Sequence, residues 1–250
     1  MKTILITGCS SGFGREIARY FLDRDWQVIA TMRTPRTDIL PPSERLRVLP
    51  LDVTDPDSIR RAVNNAGPID VLVNNAGIGA AAPFELTSAT LARELFETNT
   101  IGTMAMTQAV LPQFRQRRDG VIVNITSSVT LKALPMVSLY TASKAAVNAF
   151  TDSMAVELAP FNIRVHLVLP GRSPETRFGD NARDNARASG FDHEAYAELG
   201  QRFMTQLTSA SGPVTYATDV AEATWCAVTD AASPMRIPAG KDAVAWADAA

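Results

Sequence analysis

At 250 residues and 26.9 kDa, with 46% hydrophobic and 20% charged residues, the chain has the balance of a globular protein with room for one well-buried α/β domain, which excludes disorder over most of its length. A net charge of -2 supplies no electrostatic pull toward nucleic acid. Cys9 and Cys226 lack the close neighbour of a metal or redox pair, and no apolar run approaches the ~18 residues of a membrane span, so a soluble chain in a reducing, cytoplasmic setting is expected.

Residues 3–7 read as a buried strand, and the loop Gly8-Cys9-Ser10-Ser11-Gly12-Phe13-Gly14 follows at once, opening a helix with Ile17, Ala18, Phe21 and Leu22 on one face. A glycine loop at a helix N-terminus offers backbone N–H groups and the positive end of a helix dipole to a phosphate, and a dinucleotide pyrophosphate is the expected guest. No Gly-Lys-Ser/Thr ending marks it as a nucleoside-triphosphate loop. Further strands are expected at Gln27–Thr31, Arg47–Leu51, Val71–Val73, Val121–Ile125 and Arg164–Leu169, with helix-length segments between them. That alternation predicts a doubly wound parallel sheet with helices on both faces.

Asn74-Asn75-Ala76-Gly77 closes the fourth strand, where an open α/β sheet binds its ligand beyond the carboxyl ends of the strands. Asp52, after the third strand, is placed either to accept from an adenine amino group or to cap the following helix. A long helix is expected over Ala89–Phe114. Asn124-Ile125-Thr126 matches a glycosylation sequon, but it falls in an expected buried strand and is set aside. Tyr140 and Lys144 stand four residues apart, a spacing that stacks a phenol and an ammonium on one helix face. There the cation would favour the phenolate and bring proton exchange toward neutral pH; a solvated surface pair would share the same spacing. His166 and His193 form no triad with a nucleophile elbow and read as structural.

Together, Thr7-Gly8-xxx-Gly12-x-Gly14, Asp52, Asn74-Asn75-Ala76-Gly77, Asn99, Ser127, Tyr140-xxx-Lys144 and Pro170-Gly171 resemble, in order and spacing, the short-chain dehydrogenase/reductase family over residues 3 to about 171. The resemblance implies a Rossmann-type α/β fold in a single dinucleotide-binding and catalytic domain spanning 1–250. It also implies a nicotinamide cofactor and hydride transfer between a carbonyl and an alcohol through Asn99, Ser127, Tyr140 and Lys144. Tyr140 would donate the proton, Ser127 would orient the substrate, and Lys144 would lower the tyrosine pKa and hold the nicotinamide ribose. Asn99 would hold a water relaying protons from Lys144, or else be a satisfied polar residue at a helix irregularity. Ser127 stands thirteen residues before Tyr140, as the family requires, whereas Ser128 is one short; Thr130 stands where the family usually has glycine. Cofactor contacts are expected at Gly8, Ser10, Ser11, Gly12, Phe13, Gly14, Arg33, Asp52, Val53, Asn75, Ala76, Gly77, Tyr140, Lys144, Pro170, Gly171 and Thr176, the last one residue late for the family pattern.

Val28-Ile29-Ala30-Thr31-Met32-Arg33 closes the second strand without the carboxylate that would hold ribose hydroxyls, so Arg33 is expected to grip a 2′-phosphate and select NADP(H), with Arg36 able to share the role. Residues 172–212 are expected to form a substrate lid with Tyr196, Leu199, Phe203 and Leu207 at helical spacing. A medium-sized hydrophobic ketone or secondary alcohol fits such a wall, although the same helix could simply pack on the core. The tail from Ala217 is expected to hold a helix, a short segment Met235–Pro238 and a frayed end. By resemblance, the helices carrying Asn99 and Tyr140 pair in a homodimer or homotetramer across Leu91, Leu95, Val147 and Phe150. A cofactor-sensing protein without turnover is the alternative function. A methyltransferase is disfavoured because Met32-Arg33 stands where it would need an acid.

Overall fold

The structure, a computed structural model, describes residues 1–174, 193–208 and 212–249. Among these, the strands are β1 (Thr3–Ile6), β2 (Gln27–Met32), β3 (Leu46–Pro50), β4 (Val71–Asn74), β5 (Gly120–Ile125), β6 (Ile163–Pro170) and β7 (Arg236–Ala239). They form one sheet in the order β3-β2-β1-β4-β5-β6-β7, with every pairing parallel. The helices are α1 (Gly12–Leu22), α2 (Pro56–Ala66), α3 (Ala89–Phe96), α4 (Gly102–Arg117), α5 (Ser138–Leu158), α6 (Ala197–Thr208), α7 (Ala217–Thr229) and α8 (Lys241–Ala247).

The central strands β1, β4 and β5 are buried at every position because both faces of the sheet are covered. Alternation along each strand splits them between two cores: Ile4, Ile6, Val71, Val73, Val121 and Val123 pack with α1 and α7 residues such as Phe21 and Val220. Leu5, Ile29, Leu72 and Ile122 pack on the other face with Met106, Phe114 and Met154 from α4 and α5. Arg164 ties the far side together, donating to Ala227 O at 2.9 Å and Val228 O at 2.7 Å. Those carbonyls end α7, where a cation is favoured by the helix dipole. The two edge strands, β3 and β7, contain the prolines Pro50 and Pro238, which the interior of a central strand would exclude for want of a ladder N–H.

Several expectations are corrected. The helix over Ala89–Phe114 is interrupted by a π-turn at Glu97–Ile101, where Asn99 turns inward. The Met235–Pro238 segment is a strand, held by the register Leu167↔Arg236 to Pro170↔Ala239, and the frayed end is the helix α8. Leu91, Leu95 and Val147 are buried within the chain itself and Phe150 is half-buried, while Ile101 and Val156 are exposed large apolar side chains on those helices. Asn124 is fully buried in β5, which disposes of the sequon. His166 is buried between Arg164 and the Pro234 carbonyl, a structural role. No helix among the described residues is long and apolar enough to cross a membrane.

Gly120 opens β5 directly against the Phe114 ring, which a Cβ would overlap. Gly120→Ala is therefore expected to destabilise the fold by about 1–3 kcal/mol, read as a fall in the midpoint of urea unfolding with an unchanged slope.

Candidate active site

The strand order reverses between β1 and β4, and the loops leaving their carboxyl ends diverge there to form a crevice. Gly8 has a φ of +74°, and a Cβ on it would stand 2.8 Å from Ala76 Cα, so only glycine lets the two loops meet. Thr7 binds them: its hydroxyl accepts from the N–H groups of Asn75 and Ala76, both at 2.9 Å. The Asn75 amide returns two bonds, to Thr7 O at 2.9 Å and Gly8 O at 3.1 Å. A Cβ on Gly14 would overlap that same amide. Gly12 has a φ of +55°, and Ser11 at the N-cap of α1 is extended, with no side-chain cap bond. Glycines packed against the neighbouring loop, at a helix end that its own N-cap side chain does not close, are a fit for a pyrophosphate.

Tyr140 and Lys144 lie in the first two turns of α5 and are both buried, with Ser143 between them. Lys144 Nζ donates to Ile125 O at 2.9 Å, at the end of β5. Asn99 stands beside it, since a Cβ on Gly77 would lie 3.1 Å from Asn99 Oδ1 and 3.4 Å from Lys144 Nζ. The Asn99 side chain is satisfied by the Ile78 backbone, accepting from its N–H at 2.8 Å and donating to its carbonyl at 3.0 Å, and it also donates to Ser143 Oγ at 3.0 Å. The side chain is thus satisfied at the π-turn. Of the adjacent hydroxyls, Ser127 is the one that hydrogen-bonds the Tyr140 phenol. A buried polar layer supports the group: Asn74 Nδ2 donates to Thr107 Oγ1 and Asn124 Oδ1, and Asn124 Nδ2 donates to Thr151 Oγ1.

The electrostatics differ from the expectation of a lysine-lowered phenol. Burial pushes Tyr140 up to about 12, offset in part by the Ser127 hydrogen bond, and burial pushes Lys144 down to about 8. Four-residue spacing fixes the shared face but not the depth, and at this depth desolvation of each charged form dominates.

Elsewhere at the carboxyl edge, Arg33 follows β2 and is exposed. Asp52 is held below the usual carboxylate range chiefly by hydrogen bonds from Thr54, with Arg33 contributing. It does not cap α2; Asp55 does, accepting from Asp57 N at 2.9 Å. Arg36 is drawn instead into an exposed pair with Asp38. Ser10 is exposed, while Phe13 is partly buried against the α1 core and Val53 is buried beside Gly102. Pro170 ends β6, and Gly171 N donates to Thr215 Oγ1 at 2.9 Å. Arg172 N donates to the buried Asp242 at 2.6 Å, and the Asp242 carboxylate also accepts from Thr215 Oγ1 at 2.7 Å. Sequence reasoning missed Thr215 and Asp242, which act across about forty and seventy residues. Thr176 and the Leu207 side chain lie outside the described residues. Phe203 of α6 is buried with Ala81 and Met136, packed on Val137, which also packs on the Tyr140 cluster.

The sequence profile of a family described as short chain dehydrogenase matches residues 2–187. The chain is 39% identical over 201 residues to the 3-ketodihydrosphingosine reductase of Bacteroides thetaiotaomicron, covering 79% of this chain and 72% of that protein. It is also 39% identical over 184 residues to retinol dehydrogenase 8 of Bos taurus, covering 68% of this chain and only 58% of that protein. A short-chain dehydrogenase structure from Streptomyces avermitilis matches with a TM-score of 0.87 at 35% identity, over 100% of this chain and 92% of that one. A short chain dehydrogenase from Burkholderia cenocepacia in complex with NADP matches at 0.78 and 25%, over 99% and 93%. A 3-ketoacyl-(acyl-carrier-protein) reductase from Brucella melitensis complexed with NADH gives 0.78 and 25%, over 95% and 96%. These likenesses support a nicotinamide dinucleotide as the guest of the glycine loop.

Burial gives the site a pH signature. Lys144, at about 8 when folded against 10.5 ordinarily, sheds its proton in the folded chain first, so between those values the unfolded chain holds more protons and stability rises with pH. Tyr140, raised to about 12 from 10.0, has the opposite sign and erodes stability only above pH ~10. From pH 8 to 10 the unsubstituted chain should therefore gain roughly 2 kcal/mol on Lys144→Met, measured by denaturant titration at each pH; a constant gap would contradict the assignment.

Proposed function

The chain belongs to the short-chain dehydrogenase family, and on that footing we propose that it moves a hydride between NADP(H) and the carbonyl or alcohol carbon of a medium-sized hydrophobic substrate. The observation that carries this reading is the hydrogen bond between Tyr140, buried on α5 one turn before Lys144, and Ser127, in the loop after β5. The nicotinamide, when bound, supplies the hydride in reduction and accepts it in oxidation. As charge grows on the carbonyl oxygen, the Tyr140 phenol donates its proton there and the Ser127 hydroxyl donates a hydrogen bond to the same oxygen. Burial brings Lys144 down to about 8, so it can replace that proton, with a water beside Asn99 passing it on from solvent. Asn99 itself shapes the pocket by holding the Ile78 backbone.

For the cofactor, the N–H groups of the glycine loop and the α1 dipole hold the pyrophosphate. Ser10, Ser11 and Arg33 hold a 2′-phosphate, Asp52 and Val53 face the adenine, and Asn75, Ala76, Gly77, Pro170, Gly171 and Thr176 border the nicotinamide half. Support for NADP(H) over NAD(H) is the cation closing β2, where NAD specificity wants an acid. Among the related structures one complex holds NADP and another NADH, so the preference rests on that cation. The hydrophobic substrate class is supported by the apolar surroundings of Tyr140, which clusters with Ala80 and Leu91 and, through Val137, adjoins Ala81, Met136 and Phe203.

The primary test is NADPH consumption against a panel of ketones and aldehydes; a chain that binds cofactor but turns over none of them is a binder, not this enzyme. Tyr140→Phe should cost about 10²–10⁴-fold in kcat while cofactor affinity by fluorescence titration stays within a factor of a few. Arg33→Asp should reverse or abolish the NADPH preference in kcat/KM, each lost charged contact costing roughly 1.5–3 kcal/mol. A higher kcat/KM for NADH in the unsubstituted chain would overturn the cofactor assignment.

A further inference from the structure

Ser127 is held from three sides. It sits extended at the N-cap of a short 3₁₀ turn, and its Oγ accepts from Val129 N at 3.3 Å. Its carbonyl accepts from Thr130 Oγ1 at 2.8 Å. Thr130 Oγ1 in turn accepts from Asn148 Nδ2 at 3.0 Å. The direction of these bonds is fixed: a threonine hydroxyl has one proton, which goes to the Ser127 carbonyl, so the Asn148 amide must be the donor to Thr130. Asn148 stands on α5, four residues beyond Lys144 and eight beyond Tyr140, and so on the same side of that helix. The Ser127 loop is thereby closed into a ring with α5: Tyr140 meets the Ser127 side chain from the first turn, and Asn148 meets the Ser127 backbone through Thr130 from two turns further on.

We propose that Thr130 and Asn148 are positioning residues, a two-bond relay from α5 that fixes the peptide of Ser127 so that its hydroxyl and the Tyr140 phenol address one substrate oxygen. The proposal rests on the hydride-transfer reading above. A glycine at position 130, as the family usually has, would offer no side chain to either partner. In this chain the threonine couples the serine loop to the helix that carries the phenol and the ammonium. A loop tied to that helix tracks its movements, and chained hydrogen bonds with one polarity reinforce each other. The cost of losing such alignment falls on the transition state, where the donor must meet a developing charge, and not on cofactor binding.

Thr130→Val keeps the shape and removes both bonds. Its kcat should fall about five- to tenfold, with KM and Kd for the cofactor unchanged, and Thr130→Ser should restore most of it. Asn148→Ala, which breaks only the outer bond, should lower kcat in the same direction and guards against a folding defect peculiar to position 130. The decisive comparison is the double variant: in a Ser127→Ala background, Thr130→Val should cost nothing further, because the relay acts only through Ser127. Wild-type kcat in Thr130→Val, or an equal fall with and without Ser127, overturns the relay. If Tyr140→Phe and Ser127→Ala lose turnover while Thr130→Val does not, the relay alone fails. If those two variants also turn over normally, the hydride-transfer reading falls and takes the relay with it.

Discussion

Between Gly8 and Ala76 there is no room for a methyl group, and the carboxyl edge of the sheet takes its arrangement from that approach. The Thr7 hydroxyl gathers two N–H groups from the opposing loop, and the Asn75 amide gives two bonds back. Four bonds across one crevice define where the chain after β4 must run. That path brings Gly77 against Asn99 and Lys144, so the glycine turn and the buried polar group around Lys144 are positioned by one contact. A side chain at position 8 would push both apart.

The second constraint is the cost of what α5 buries. A phenol pushed to about 12 and an ammonium pushed to about 8 are each held in the less favourable surroundings for their charge. The Ile125 carbonyl satisfies one ammonium proton, and the layer from Thr107 through Asn74 and Asn124 to Thr151 lies beneath, with each amide donating into a neighbour. Strain of this kind is retained where it serves chemistry. The hydrophobic cores on the two faces of the sheet supply the stability that offsets it.

Much of this was legible in the sequence. The β1 run, its glycines and α1 could be read because apolar continuity and glycine spacing are local signals. The Tyr140–Lys144 face followed from helical period, and Ser127 over Ser128 followed from a count of residues to Tyr140. What escaped was non-local. A π-turn adds one residue without disturbing an apolar pattern on either side, and its cause, the Ile78 backbone, lies twenty-one residues from Asn99. β7 is four residues long and contains a proline, too little for any periodicity, and it exists as a strand because β6 pairs with it. The direction of the Tyr140 shift depended on depth of burial, which spacing does not encode. Thr215 and Asp242 meet Gly171 and Arg172 only in the folded chain.

The prolines of the two edge strands bear on more than local pairing. Leu167 N donates to Met235 O and Gly171 N to Ala239 O, so the odd-numbered residues of β7 face β6 and Pro238 faces outward. On the other side Val28 N donates to Arg45 O and Leu51 N to Met32 O, which turns Pro50 outward as well. Each rim of the sheet therefore lacks a donor at the point where an incoming strand would seek one. Exposed rims with intact donors are templates for runaway strand stacking, and this protein carries a chain terminator on each.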